Sequence, residues 1–197
     1  LELAVGGSSW TLTSLGQEGD AVSLQHPSLM LNNDTLAVAL VDSDGSGTNL
    51  SLWMHDGSTL TKQSIANQSD ANVQIALAAR DNGSLLVATL TSSGTLAVYE
   101  QWPASTTWQQ HTVTQPSGTA GEFRLDLEGG ASPILAIRGN EISAIMMLNE
   151  TNAWVTVAER PAAAVNGAWD VLHVDGHLLL LTSDINTQHL VVNTLEL

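Results

Sequence analysis

Residues 82 to 113 read Asn-Gly-Ser-Leu-Leu-Val-Ala-Thr-Leu-Thr-Ser-Ser-Gly-Thr-Leu-Ala-Val-Tyr-Glu-Gln-Trp-Pro-Ala-Ser-Thr-Thr-Trp-Gln-Gln-His-Thr-Val. Three short apolar runs are cut by two turn clusters. The runs carry Leu, Val, Thr, Tyr and Trp, which suit a pleated, half-buried surface, while Ser92-Ser93-Gly94 and Pro103-Ala104-Ser105 favour turns. The stretch predicts a three-stranded antiparallel meander. Its middle strand recurs along the chain as Leu3-Ala-Val, Leu50-Ser-Leu-Trp, Leu96-Ala-Val-Tyr, Ile142-Ser-Ala-Ile and Leu190-Val-Val, with starts 47, 46, 46 and 48 residues apart. A period of this size with four strands per repeat predicts an all-β, β-propeller-like array of four-stranded blades.

The repeats fall at about residues 1–48, 49–95, 96–140 and 141–186, with a partial one at 187–197, all within one domain of a longer repeat chain or assembly. Second strands stand out as nearly continuous apolar runs, Thr35 to Val41, Ser84 to Ala88, Pro133 to Ile137 and His177 to Leu181, the pattern of strands covered on both faces. Fourth strands are expected at Thr59 to Ser64, Thr107 to Val113 and Ala153 to Val157. First strands are expected at Val73 to Leu77, Phe123 to Leu127 and Trp169 to Val174, and another from Ala21 is interrupted at Pro27. Phe123-Arg124-Leu125-Asp126-Leu127 alternates apolar with charged residues, which suits Arg124 and Asp126 pairing across a face or lining a central channel, or an open β-sandwich as the alternative fold. No stretch keeps a helical period, so no helix is expected. The pattern gives seventeen strands, one more than four closed blades use, and the surplus strand at Leu1 to Val5 or at His189 to Leu197 predicts self-association by strand exchange.

Twenty acidic residues against five basic ones give a formal charge of −15. Nucleic acid and anionic membrane surfaces are therefore poor partners, because both require clustered Lys and Arg. No apolar run approaches the ~18 residues of a membrane span, and membrane insertion is not expected. Cysteine is absent, which removes disulfides and thiolate metal sites. Five Asn-x-Ser/Thr sequons, at Asn33, Asn49, Asn67, Asn82 and Asn149, together with a hydroxyl-rich surface, predict an extracellular, glycosylated product. Asn33, Asn67 and Asn82 fall in predicted turns, whereas Asn49 borders a strand.

The hairpins Val5-Gly-Gly-Ser-Ser-Trp-Thr, His55-Asp-Gly-Ser-Thr-Leu-Thr and Asn149-Glu-Thr-Asn-Ala-Trp-Val resemble degraded Asp-box turns of sialidase-like (BNR) propellers, whose pattern is Ser-x-Asp-x-Gly-x-x-Trp. The resemblance implies blades. It does not extend to the enzyme's machinery, since Tyr99 is the only Tyr and the early Arg-Ile-Pro of that family is missing.

Asp42-Ser-Asp44-Gly-Ser46 resembles the start of a calcium loop, with oxygen ligands at alternate positions, but lacks a distal acid; a polar hairpin is the competing reading. No other cofactor is expected. His173 and His177 flank a predicted tight turn in which His177 pairs with Val174, so their imidazoles need not converge on a metal. Trp and Tyr offer sugar rings a flat apolar face with a polar edge. Trp102, beside Pro103 in a turn, with Tyr99 nearby, is the first candidate for a ligand contact, followed by Trp108 and Trp154, for which fourth-strand packing competes. No nucleophile elbow or phosphate loop is present. The sequence thus predicts a secreted, non-catalytic propeller module that binds a glycan or protein or assembles outside the cell. A lectin is the first alternative, and a glycoside hydrolase-like enzyme the second.

Overall fold

The computed structural model describes residues 2–3, 10–11, 21–32, 35–43, 47–69, 73–114, 124–130, 132–138, 142–161, 169–174, 177–184 and 189–196. All regular structure among them is β. Strands β1 (Glu2–Leu3) and β2 (Trp10–Thr11) form a small pair. A first blade follows from β3 (Ala21–Asn32), β4 (Thr35–Ser43), β5 (Thr48–His55) and β6 (Leu60–Asn67), antiparallel in chain order. The second blade is built from β7 (Val73–Ala79), β8 (Leu85–Thr91), β9 (Leu96–Gln101) and β10 (Gln109–Gln110). After β11 (Thr112–Val113), the third comprises β12 (Arg124–Glu128), β13 (Ile134–Arg138), β14 (Ile142–Leu148) and β15 (Ala153–Pro161). The last sheet holds β16 (Trp169–Val174), β17 (His177–Asp184) and β18 (His189–Glu196). The first strands lie side by side, β3 against β7, β7 against β12 and β12 against β16, so successive sheets stack face to face around them. The architecture is the propeller that the repeat predicts, and the sandwich alternative falls away.

Strand alternation divides each blade's side chains between two neighbours. Val73, Ile75 and Leu77 of β7 pack with Ala37, Ala39, Val41, Leu50 and Leu52 of the first blade. Ala76 and Ala78 of the same strand turn to the third blade and meet Leu127, Leu135, Ile137, Met146 and Trp154. Trp154 is 0 % exposed, and a side chain of that size in a core contributes about 3–5 kcal/mol. Pro27 does not end the first strand. It lies where the β3–β4 register shifts between Ser23 and Ser28, so the chain accommodates the residue that cannot donate to the ladder at an irregularity.

The expected fourth strand Thr107 to Val113 divides. Gln109 and Gln110 pair with β9, His111 then donates its backbone N–H to the Val98 carbonyl at 2.8 Å, and Thr112–Val113 leaves to pair in parallel with Ala153 and Trp154 of β15. This gives eighteen strands among the described residues, against the seventeen expected. The blades are also joined at the inner end, where Gly130 N–H donates to the Ala79 carbonyl at 3.1 Å. Gly129 passes so close to the same carbonyl that a Cβ there would overlap it, which excludes every other residue.

The two described Asp-box-like turns close by the same chemistry. Asp56 accepts from Ser58 N–H at 3.0 Å and Thr59 N–H at 2.8 Å, with Gly57 at φ +88°. Backbone donation from Thr59 and Ser58, with the Ser58 hydroxyl, holds the Asp56 carboxyl down to about 2. Asn149 accepts from Thr151 and Ala153 N–H, both at 3.0 Å, with Asn152 at φ 57°. The Val5 turn lies outside the described residues, as does the Asp175-Gly176 turn; the strands flanking the latter keep the expected Val174–His177 pairing.

Candidate functional site

The end of β9 carries the most concentrated chemistry among the described residues. Glu100 is 1 % exposed on the face that, two and four residues earlier, supplies Val98 and Leu96 to the core against the third blade. By strand register, Met54 and Met147 stand where Glu100 stands. A carboxylate in such a place must be neutralised and fully hydrogen-bonded, because desolvating a charge costs several kcal/mol. Three groups supply this. Arg80 Nη1 reaches Oε1 at 3.0 Å, the Ser84 hydroxyl donates to the same oxygen, and His111 Nε2 lies 2.8 Å from Oε2. Two come from the ends of one turn, Arg80 after β7 and Ser84 before β8, and His111 sits between β10 and β11. Asn82 Oδ1 fixes the turn by accepting from Ser84 N–H at 2.9 Å.

His111 also faces the third blade, with Nδ1 3.2 Å from the Asn152 carbonyl. Both ring nitrogens therefore meet acceptors, and both donate at once only in the imidazolium form. Ser84 bonds the carboxylate rather than the imidazole, and all three side chains are buried. The arrangement is thus built to hold position: it ties two turns and two blades together. Over it lies Trp102, 42 % exposed, whose ring centroid is 6.3 Å from that of His111 with the planes tilted by 43°. Among the described residues it is the only aromatic side chain of the large apolar groups left exposed. Pro103 beside it packs over the Gly83 backbone, and Ala104 takes φ 62° to turn the loop back.

The other aromatic candidates stand apart. Tyr99 and Trp108 lie half-buried on the opposite face of the second blade, against the first-blade core, and burial pushes the Tyr99 phenol up. Trp154 is enclosed between the second and third blades. Of the candidate calcium ligands, Asp42 is 3 % exposed and is held by Lys62 Nζ at 2.8 Å and the Ser51 hydroxyl at 3.1 Å, while Asp44 and Ser46 lie outside the described residues. Lys62 also sits 5.3 Å from the Trp53 ring centroid. Among the sequon residues, Asn67 and Asn82 are exposed and Asn49 and Asn149 half-buried; Asn33 lies outside the described residues.

No family model and no curated protein matches the chain. Solved structures do. The Hadza microbial sialidase Hz136 superposes with a TM-score of 0.60 at 14 % identity, over 87 % of this chain and 44 % of that one. The SapL1 lectin in complex with alpha methyl fucoside gives 0.61 at 12 % identity, over 88 % and 62 %. The fold is a β-propeller. An Aleuria aurantia lectin in complex with Fucalpha1-6GlcNAc is similar in the same way, with a TM-score of 0.54 at 11 % identity over 87 % and 64 %. The propeller described here spans less than two thirds of the length of each, and the likeness is one of fold.

Removing one member of a buried ion network leaves the others uncompensated, at a cost of about 3–5 kcal/mol. Glu100→Ala should lower unfolding stability in urea by an amount near the lower end of that range, because Arg80 retains 18 % exposure. The double variant Arg80→Met with Glu100→Met should lose less than Glu100→Ala. A double variant that unfolds more readily than the single one would show that the network's value is not charge compensation.

Proposed function

We propose that this propeller is a non-catalytic, carbohydrate-binding module that uses Trp102 as a stacking shelf at the junction of its second and third blades. The observation that carries the reading is an exposed indole set over a buried, hydrogen-bonded polar network. An apolar ring open to solvent is useful to a sugar face if it is held still beforehand, since ordering a side chain on binding costs about 0.5–1.5 kcal/mol. The His111 ring below Trp102, fixed at both nitrogens, supplies that support. The solved lectins of similar fold, one in complex with alpha methyl fucoside, add a precedent for a propeller that binds a sugar without chemistry. Secretion and use of the sequons belong to the same proposal and rest on composition.

A glycan array with the intact chain is the test. Binding that falls at least ~10-fold in Trp102→Ala, while the melting temperature holds, is the expected result; one such loss equals about 1.4 kcal/mol. Binding to no glycan at all, or binding untouched by the change, removes the reading.

A second reading, self-association, follows from strand count. Among the described residues the β16–β18 sheet has three strands where each of the three blades before it has four of its own, leaving β18 as an edge with Val192 59 % exposed. Edge strands are templates for pairing with another chain. Light scattering should give a mass above one subunit for the whole chain and a monomer after deletion of residues 189–197. Monomers in both cases contradict strand exchange.

A further inference from the structure

Asn82, Gly83 and Ser84 form one of the chain's five Asn-x-Ser/Thr sequons, and the turn that holds them is the one beside Trp102. Strand register sets this. Leu85 of β8 pairs with Gln101 of β9, so the turn before β8 and the loop after β9 leave the sheet at the same end. Pro103, next to Trp102, comes so close to Gly83 that a Cβ built there would lie 3.4 Å from its Cγ. Asn82, Gly83, Trp102, Pro103 and Ala104 are all exposed, so this end of the second blade is open to solvent.

The Asn82 carboxamide divides its two ends between different tasks. Its Oδ1 accepts from Ser84 N–H at 2.9 Å and so builds the turn. Its Nδ2, the atom to which an N-linked sugar is joined, makes no hydrogen bond among the described residues. Gly83, at φ +84°, donates its N–H to the Arg80 carbonyl at 2.9 Å and closes the turn from the other side. Among the described residues no other sequon combines these features. Asn49 lies within β5 and is half-buried, and Asn149 is half-buried with Oδ1 taken by Thr151 and Ala153 N–H. Asn67 is exposed, but it pairs with Asn49 near the start of β5, whereas Trp102 follows the end of β9, the counterpart of β5 in the next blade.

We propose that Asn82 carries an N-linked glycan and that its innermost sugars lie on the Trp102 and Pro103 rings, so that the shelf is covered by the chain's own oligosaccharide. The inference rests on the carbohydrate and sequon reading above and names how the shelf is regulated. In the attachment step Nδ2 loses a proton and bonds C1 of the first sugar, while the diphosphate of a lipid-linked oligosaccharide donor leaves. Oδ1 is untouched, so the turn that sets Arg80 and Ser84 against Glu100 is kept. A pyranose has a face of C–H groups that suits an indole, and the Pro103 ring extends the apolar surface. A tethered ligand acts at an effective concentration on the order of millimolar. It therefore holds a single-ring contact against free sugars that bind weakly, and the glycosylated chain has its shelf closed where the bare chain has it open.

The whole chain, secreted from a cell that N-glycosylates and produced again in a host that does not, tests this without any substitution. Peptide mapping should find the glycan at Asn82. Hydroxyl-radical footprinting should find Trp102 oxidised at least ~3-fold more slowly in the glycosylated chain, a factor that a stacked aromatic contact of ordinary strength supplies. Trp108, half-buried on the other face of its blade, should be oxidised equally in both. Trp102→Ala should leave occupancy of Asn82 and the melting temperature of the bare chain unchanged, and should lower the melting temperature of the glycosylated chain. An empty Asn82 overturns the proposal, and so does a glycan there that leaves Trp102 oxidised at the bare chain's rate. Failure of the bare chain to bind any glycan on an array is a separate result: it removes the carbohydrate reading, whereas protection of Trp102 by a tethered glycan is read on the chain itself.

Discussion

A sheet covered on both faces has to be apolar at nearly every position, and this molecule is built from such sheets. In β8 and β13 the burial is almost continuous, from Leu86 to Thr91 and from Ile134 to Arg138. With no cysteine available, packing between blades is what holds the array together. In the second blade, β8 gives Val87 to the first-blade core and Leu86, Ala88 and Leu90 to the third. A charge admitted to that space has to be neutralised where it stands.

Glu100 is the clearest such admission, and its consequences spread outward. Neutralising it recruits Arg80 and Ser84 from the ends of one turn and His111 from the crossing between blades. His111 in turn reaches the Asn152 carbonyl, and the chain beyond it is drawn onto the outer edge of the third blade as β11. That short parallel strand covers part of the β15 edge that would otherwise present unpaired backbone groups. The proposed shelf at Trp102 inherits its rigidity from the same bonds. The buried charges fix the positions of the groups around them.

Much of the fold was legible in the sequence because it is periodic. The third-strand motifs from Leu3 to Leu190 and the apolar second strands set the blades, and β16 falls at its expected bounds. The site was less so. Glu100, Arg80 and His111 are separated by up to 31 residues, and each alone is an ordinary polar residue. One signal was available: when the repeats are aligned, Glu100 occupies a methionine position. The split of the fourth strand could not be read, because it depends on what His111 bonds in a neighbouring blade. Trp102 opens a turn, as Pro103 beside it suggests, while Tyr99, three positions away, faces the opposite blade because side chains alternate.

Glu100 and His111 act as one unit joining two blades. A double-mutant cycle in urea, with Glu100→Gln, His111→Gln and both together, measures this directly. A coupling of about 1–3 kcal/mol is predicted, whereas changes that add to within roughly 0.5 kcal/mol would mean the two residues are energetically independent and the junction is held by apolar packing alone.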